Sequence, residues 1–182
     1  MTLHGLDKTL RAGMSIYSSM KHRAYLDIET TGLSRHYNEL TVIGIGLEKG
    51  RRIEVIQLIE NDLYDDKLVK ILENVDEIYT YNGSRFDLPF INTRLRVDLK
   101  QCVKHTDLMY DCWRHELKGG LKAVERKLGI GRKLKNVDGY MAVQLWWDYV
   151  NNSSQESLKT LLDYNQEDVV NLKVLRKKLG VE

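Results

Sequence analysis

Residues 24–33 read AYLDIETTGL, an apolar run that carries two acidic side chains and ends next to a glycine. Residues 24–28 predict a strand, and side chains two residues apart in a strand point to the same face. Asp27 and Glu29 would then repel each other unless a cation neutralises them, and hard oxygen ligands suit Mg²⁺ or Mn²⁺. Because an isolated D-x-E pattern is common by chance, the alternative is that Glu29 is a solvated loop residue.

The composition limits the class of protein. The chain has 182 residues, 42% of them hydrophobic and 30% charged, with a formal net charge of +2. These values are typical of a soluble globular protein and do not by themselves indicate nucleic-acid binding. Two cysteines are too few for a disulfide framework, and we find neither a signal-peptide pattern nor an apolar run that could span a membrane. We therefore expect one cytoplasmic domain over residues 1–182, with residues 1–22 as an N-terminal extension.

The order of the predicted elements indicates an α/β fold. Further strands are expected at residues 40–47, 53–59, 77–81 and 102–106, and the first three strands should form an antiparallel meander. Asp62 can cap a first helix, and a second is expected near residues 86–95. Beyond Asp107 the apolar positions recur at helical spacing, and the last helix carries Val169, Leu172, Leu175 and Leu179. These elements predict a mixed five-stranded sheet flanked by helices, with a helical C-terminal half.

Two later segments carry further acidic residues. Asp87, in TYNGSRFDLPF (80–90), follows the fourth strand, and alone it would be a helix-start residue stabilised by the helix dipole. Asp168, in YNQEDVVNL (164–172), stands four residues after Tyr164, so the two share one helical face. Taken singly, this pair would be surface residues. Asp163 and Glu167 are expected on other faces of the same helix, in solvent.

Together, three segments carry a family resemblance. DIETTGL, YNGSRFDLPF and YNQEDVV resemble, in that order, the three motifs of the DEDD superfamily of 3′–5′ exonucleases, whose fold is ribonuclease H-like. The Y-x-x-x-D form of the third motif is that of the tyrosine subgroup. The second motif is also similar to that of the proofreading domains of family B DNA polymerases. The length and the helical C-terminal half look most like the YprB-type predicted exonucleases.

The resemblance implies a role for each motif residue. Four carboxylates would hold two divalent cations, Mg²⁺ or Mn²⁺: Asp27, Glu29, Asp87 and Asp168. Tyr164 would orient the attacking water or help to deprotonate it. Thr30, Leu33 and Asn82 would contact the end of the strand, although a loop leucine is more often simple packing. Arg85 could reach a phosphate, although a surface arginine is the default interpretation.

Two further features allow more than one interpretation. Eight basic residues lie between Arg114 and Lys135, and they could follow the phosphates of a bound strand or form the exposed face of a helix. His105 and Asp107 end the fifth predicted strand, and we favour a structural role for them over a further metal site.

The implied activity is hydrolysis of DNA or RNA from a 3′ end, with release of nucleoside 5′-monophosphates. One alternative is a structure-specific endonuclease that uses the same fold and cations. The other is a catalytically silent nucleic-acid-binding module, which the complete set of carboxylates argues against. The sequence leaves the choice between DNA and RNA, and the oligomeric state, open.

Overall fold

A computed structural model describes residues 22–182, so the predicted extension lies, except for its last residue, outside the described residues. The strands are β1 (Arg23–Thr30), β2 (Leu40–Lys49), β3 (Arg52–Ile59), β4 (Glu77–Thr80) and β5 (Lys104–Asp107). The helices are α1 (Asp65–Leu72), α2 (Asp87–Leu95), α3 (Leu99–Cys102), α4 (Leu108–Arg114), α5 (Leu121–Lys127), α6 (Gly139–Asn152) and α7 (Gln155–Lys178).

The five strands form one mixed sheet in the order β3-β2-β1-β4-β5. β1 and β3 both pair antiparallel with β2, which confirms the predicted meander, whereas β4 pairs parallel with both β1 and β5. Because β1, β4 and β5 run in the same direction, their carboxyl ends lie at one edge of the sheet. The first sequence motif spans the carboxyl end of β1 and the second follows β4, so both are brought to that edge.

Residues of β1 alternate between the two faces of the sheet. Leu26 and Ile28 belong to a buried apolar cluster that includes Leu88 and Ile91 of α2. Tyr25 belongs to a second cluster, formed with residues of α7 such as Leu172. Since side chains alternate along a strand, Asp27 and Glu29 point to the same face as Tyr25, toward α7.

α7 is a single helix of 24 residues. It carries Val169, Leu172 and Leu175, as the apolar spacing predicted, and Leu179 is its C-cap residue. Two glycines of β2 let the helix approach the sheet. A Cβ atom on Gly44 would lie 2.2 Å from Asn165 Oδ1, and one on Gly46 would lie 2.6 Å from Val169 Cγ1.

Two predicted boundaries were wrong. Asp62 does not cap a helix: it ends a short 3₁₀ turn and pairs with Lys67 at 2.5 Å, while Tyr64 is the N-cap residue of α1. The fifth strand begins at Lys104 rather than at residue 102, because residues 99–102 form the short helix α3. Within residues 22–182, no helix combines the length and the apolar character needed to cross a membrane.

Candidate active site

The first two carboxylates of the site are held by β1. Asp27 is paired with Gly44 of β2 and Glu29 with Val42, and the register shifts only after Glu29. Glu29 is 8% exposed and lies inside the strand, so the alternative of a solvated loop residue is wrong. Both side chains therefore have the common orientation that their spacing predicts.

α7 brings a third carboxylate to the same place. Asp168 and Tyr164 are both buried, so the alternative that they are surface residues is wrong. Asp27, Glu29 and Asp168 each have one carboxylate oxygen in a group whose members lie within 4.8 Å of one another. Carboxylate oxygens gathered this closely are the donor set that a divalent cation prefers.

Asp87 stands beside this group of three. It is buried as the first residue of α2 and lines the same cleft. Its charge is close enough to contribute, after burial and the charges of Asp168 and Glu29, to the raised pKa of Asp27. Among the described residues, however, the group within 4.8 Å does not include it.

The electrostatics of the site favour an added positive charge. Burial raises the pKa of Asp27 and of Glu29 well above ordinary values, and the charge of Asp168 adds to the effect on both. Burial also raises the pKa of Asp87 to about 7 and that of Asp168 to about 6, the latter against the charge of Arg132. Without a cation, the four carboxylates can ionise together only at a cost in free energy.

A neutral side-chain amide, that of Asn165, fixes the position of Asp27. Asn165 Nδ2 donates hydrogen bonds to Asp27 Oδ2 at 3.0 Å and to the Asp27 carbonyl oxygen at 3.3 Å. Gln57 Nε2 of β3 donates to Asn165 Oδ1 at 2.9 Å, which fixes the direction of the Asn165 amide. Sequence analysis missed both residues. The sequence features that could have indicated them are the asparagine inside the third motif, YNQEDVV, and the glutamine in the otherwise largely apolar strand IEVIQLI.

A guanidinium group holds Asp168. Arg132 Nη2 lies 2.5 Å from Asp168 Oδ1, and Arg132 Nη1 donates to the two carboxylate oxygens of Glu125 at 3.0 and 2.8 Å. The Arg132 side chain is 7% exposed. Arg132 belongs to the basic stretch 114–135, for which we considered contacts with phosphates or an exposed helix face. Neither interpretation fits Arg132, because its side chain is buried among carboxylates.

The loop before α6 covers a face of α7 that was expected to be solvated. Glu167 accepts hydrogen bonds from the backbone amides of Lys133 at 2.5 Å and Leu134 at 3.1 Å, so the prediction for Glu167 was wrong. Helical spacing gives the direction of a side chain but not what packs against it. Asp163 is half exposed as predicted, and it pairs with Lys159 at 2.5 Å.

The phenol of Tyr164 is surrounded by charges of both signs. Lys122 Nζ lies 4.5 Å from the ring centroid, and Arg132 Cζ lies 5.5 Å from it. Burial, followed by the charges of Asp168 and Glu29, raises the pKa of Tyr164 far above its ordinary value. The hydroxyl therefore stays protonated near neutral pH, where it can donate a hydrogen bond but cannot act as a base.

A cleft of about 620 Å³ opens over the carboxylates. Eight of the nine predicted site residues line it: Asp27, Glu29, Thr30, Leu33, Asn82, Asp87, Tyr164 and Asp168. The packing alternative for Leu33 is wrong, because its side chain is 88% exposed. Thr30 Oγ1 donates to the Gly32 carbonyl oxygen at 2.7 Å. Tyr140, on α6, also lines the cleft with 73% of its surface exposed, and no sequence pattern had indicated it.

Arg85 is the predicted site residue that does not line the cleft. Its side chain is exposed, and its guanidinium carbon lies 6.0 Å from the ring centroid of Tyr110 and 5.7 Å from that of Trp113. The three side chains form a patch beside α4. Any contact between Arg85 and a substrate would therefore be made outside the cleft.

Asp107 has the structural role that was favoured for it. Its carboxylate accepts hydrogen bonds from the backbone amides of Asn82 at 2.7 Å, Ser84 at 3.0 Å and Met109 at 3.1 Å. Asn82 adopts a left-handed backbone conformation with φ of 64°, which asparagine tolerates better than most residues. Asp107 thus fixes the turn that carries the second motif, just before Asp87.

Comparison with known proteins places the chain in a family. The pattern of the RNase_H superfamily (RNase_H_2) matches residues 24–180. YprB of Bacillus subtilis (strain 168), an uncharacterized protein, is 30% identical over 165 residues, which are 81% of this chain and 39% of YprB. The chain thus spans about two fifths of that relative.

Two solved structures have a similar fold. A nuclease in its apo form superposes with a TM-score of 0.60 at 19% identity, over 97% of this chain and 76% of that one. NrnC of Brucella melitensis superposes with a TM-score of 0.59 at 23% identity, over 88% of this chain and 73% of that one. The match to residues 24–180, together with the mixed sheet and its flanking helices, shows that the chain belongs to the RNase H superfamily.

Proposed function

We propose that this protein is a divalent-cation-dependent 3′–5′ exonuclease that hydrolyses phosphodiester bonds of DNA or RNA. The observation that carries the proposal is the group of three carboxylates within 4.8 Å of one another, two of them buried and that of Asp27 half-buried, with Asp87 beside it. Burial, followed by the charge of Asp168, raises the pKa of Asp27 and of Glu29, and the pKa of Asp168 stays raised in spite of Arg132. Structures of NrnC with bound Mg²⁺ and bound to pGG have the same fold, which supports the choice of cation and of substrate class.

Two cations, Mg²⁺ or Mn²⁺, would be held by the motif carboxylates: Asp27, Glu29, Asp87 and Asp168. When bound, such cations lower the pKa of a water molecule and offset the negative charge that develops on the phosphoryl oxygens. Asn165 holds Asp27 and Arg132 holds Asp168, so the two carboxylates keep their orientation when the substrate arrives. The protonated hydroxyl of Tyr164 would orient the attacking water by a hydrogen bond.

The rim of the cleft would receive the end of the strand. Leu33 offers an exposed apolar surface to a terminal base, with Thr30 and Asn82 close by. Arg85 would contact a phosphate farther along the strand. The direction of hydrolysis and the release of nucleoside 5′-monophosphates rest on the resemblance of the three motifs, and the cytoplasmic location stays a prediction from composition.

A panel of end-labelled oligonucleotides tests the proposal. Single-stranded DNA and RNA, labelled at the 5′ end, are incubated with Mg²⁺ or Mn²⁺ and with excess chelator. The expected result is a ladder that shortens from the 3′ end, with mononucleotides as the other product. Internal fragments would favour a structure-specific endonuclease, and binding without cleavage would favour a catalytically silent module. Full activity in excess chelator would reject cation dependence, and the Asp27→Asn variant controls for a contaminating nuclease.

A further inference from the structure

We propose that a basic cavity beside the carboxylate site binds a phosphate of the nucleic-acid backbone, a few nucleotides away from the end that enters the cleft. The inference rests on the proposed function, because it concerns the path of the bound strand. It adds a second binding site to the cleft and gives part of the basic stretch 114–135 a function.

The basic cavity lies between α5 and the loop that follows it. Its volume is about 610 Å³, close to that of the cleft. Four basic residues, one acidic residue and a glycine are among those that line it: Lys122, Arg126, Arg132, Lys135, Glu125 and Gly131. Arg126, Lys135 and Gly131 are exposed, so solvent and ligands can enter the cavity.

The positive charge of the cavity exceeds its negative charge. Glu125 is fully buried, and both of its carboxylate oxygens accept from Arg132 Nη1, at 3.0 and 2.8 Å. Lys122 Nζ donates to a backbone carbonyl oxygen, a neutral acceptor that leaves the charge of the ammonium uncompensated. Within residues 22–182, Arg126 and Lys135 form no ion pair. Three positive charges are thus left for an anion, and phosphate oxygens accept such charge-assisted hydrogen bonds.

The backbone at Gly131 leaves room for a ligand. A Cβ atom on Gly131 would meet no atom within 4 Å beyond its chain neighbours, so packing does not require a glycine at this position. Among the described residues, no backbone carbonyl accepts a hydrogen bond from the Gly131 amide. A glycine with a free amide lets phosphate oxygens approach the backbone closely.

The cavity adjoins the cleft closely enough for one strand to reach both. Arg132 Nη2, at the wall of the cavity, lies 2.5 Å from Asp168 Oδ1, and Asp168 lines the cleft. Lys122 Nζ lies 4.5 Å from the ring centroid of Tyr164, which also lines the cleft. Single side chains therefore separate the two spaces. A strand whose end lies at the carboxylates would bring a later phosphate to the cavity, as strands do in basic grooves that follow their backbone.

Strand binding measured at several salt concentrations tests the inference. A labelled single strand of about 15 nucleotides is titrated with Arg126→Gln/Lys135→Gln in the Asp27→Asn background, in which cleavage should be slow. Loss of the two charges should raise Kd by roughly tenfold. The slope of log Kd against log salt should fall by about 1.4, since each phosphate contact on a single strand contributes about 0.7. Lys127→Gln/Lys178→Gln removes the same charge from exposed positions outside the cavity, and it should change Kd by less than about twofold.

A second variant fills the cavity instead of removing its charge. Gly131→Glu places a carboxylate among the basic side chains, at a position where a Cβ atom meets no other part of the protein, so the fold should persist. It should also weaken binding of the long strand by roughly tenfold, because a like charge repels the phosphate. The affinity for a dinucleotide should fall far less with either cavity variant, because a dinucleotide is too short to reach beyond the cleft.

Three results would overturn the inference. The first is a cavity variant that has wild-type circular dichroism but the affinity and the salt slope of the control. The second is an equal loss of affinity for the dinucleotide, because the charges would then act on the cleft itself. The third is a loss confined to Arg85→Gln, which would place the strand along α4, away from the cavity.

The source of the phosphate and the proposed function are tested separately. If inorganic phosphate bound to the wild type and not to the cavity variants while strand affinity stayed the same, the cavity would hold a free anion and the inference would fail. A wild type that cleaves no strand with Mg²⁺ would instead reject the proposed function. Strand binding in the Asp27→Asn background would still decide for or against the cavity.

Discussion

Two buried polar clusters lie where α7 crosses the sheet, and they differ in how their charges are matched. At one, Asp27, Glu29 and Asp168 converge with only part of their charge offset. At the other, farther along α7, Lys173 and Arg176 each lie 3.4 Å from a carboxylate oxygen of Glu48 on β2. One helix packed on the same strands thus supports two clusters of opposite electrostatic character.

The second cluster satisfies its own charges. The hydroxyl of Tyr25 donates to Glu48 at 2.9 Å and accepts from Arg176 Nε at 2.8 Å. Burial alone would raise the pKa of Glu48, but the hydrogen bond from Tyr25 and the charges of Lys173 and Arg176 hold it below the ordinary value. The comparison indicates that the matched cluster, formed by Glu48, Lys173 and Arg176, fastens α7 to the sheet. Under the proposed function, the unmatched carboxylates would bind an external cation.

The largest expected effect is that of Asp27→Asn on hydrolysis. The substitution keeps the size of the side chain and removes a charge from the unmatched cluster, so the fold should persist while turnover drops. We expect a loss of roughly 10³–10⁴-fold, or about 4–5.5 kcal/mol of transition-state stabilisation. Single-turnover cleavage of a 5′-labelled strand measures it. Asp163→Asn, on an exposed face of α7, is the matched control, and near-wild-type turnover by Asp27→Asn would remove Asp27 from the catalytic site.

A substitution in the matched cluster should lower the stability of the fold and leave the carboxylate site unchanged. Arg176→Met leaves the half-buried carboxylate of Glu48 with one positively charged partner fewer. This should lower the free energy of unfolding by about 3 kcal/mol, since Lys173 remains as a partner. Cation affinity at the carboxylates should not change. Urea unfolding and a Mg²⁺ titration measure the two quantities, with Lys177→Met at an exposed position as the control. A variant with wild-type stability would show that this cluster does not fasten the helix.

The parts of the molecule that local sequence patterns determine were predictable. The two-residue period of β1 gave the shared face of Asp27 and Glu29, and the apolar runs gave all five strands. The resemblance of the three motifs then gave eight of the residues that line the cleft. Each of these inferences depends on residues close together in the sequence.

The supporting contacts were not predictable in this way, because they join distant parts of the chain. Asn165 and Gln57 are 108 positions apart, and nothing local to either indicates the other. Arg132 appeared as one of eight basic residues, and its burial follows from the loop that folds back on α7. The error on Glu167 has the same cause, since that loop supplies the amides that bind its carboxylate.

The next effect in size is that of Tyr164→Phe. The substitution deletes one hydroxyl and keeps the ring between Lys122 and Arg132, so packing and the carboxylates should be unaffected. Groups that position or transfer protons contribute about 10²–10⁴-fold, and we expect the low end because the cations already activate the water. kcat should fall while KM stays nearly constant. Tyr37→Phe, on an exposed loop, is the control, and an unchanged single-turnover rate would leave the hydroxyl without a catalytic role.

The smallest expected effect is the change of the free energy of unfolding with pH. The two clusters should contribute to it in different pH ranges. A carboxyl whose pKa is raised on folding stabilises the protein below its unfolded pKa, and that stability is lost as the pH rises through the folded pKa. For Asp168, this loss of stability runs from about pH 4 to about pH 6, and for Asp87 it runs from about pH 4 to about pH 7. Glu48, with its lowered pKa, loses its contribution only in more acidic solution, so of the two clusters only the unmatched one contributes between pH 5 and pH 8. Burial lowers the pKa of His105, which acts in the opposite direction in the lower part of this range. With a chelator present, the free energy of unfolding measured with urea should fall by about 1–2 kcal/mol as the pH rises over this range, because coupled carboxylates share their protons.

Saturating Mg²⁺ should remove this pH dependence of the stability. Asp27→Asn should reduce it even without added cation. Stability that rose with pH in chelator would mean that the carboxylates do not repel one another, and the contrast between the clusters would fail.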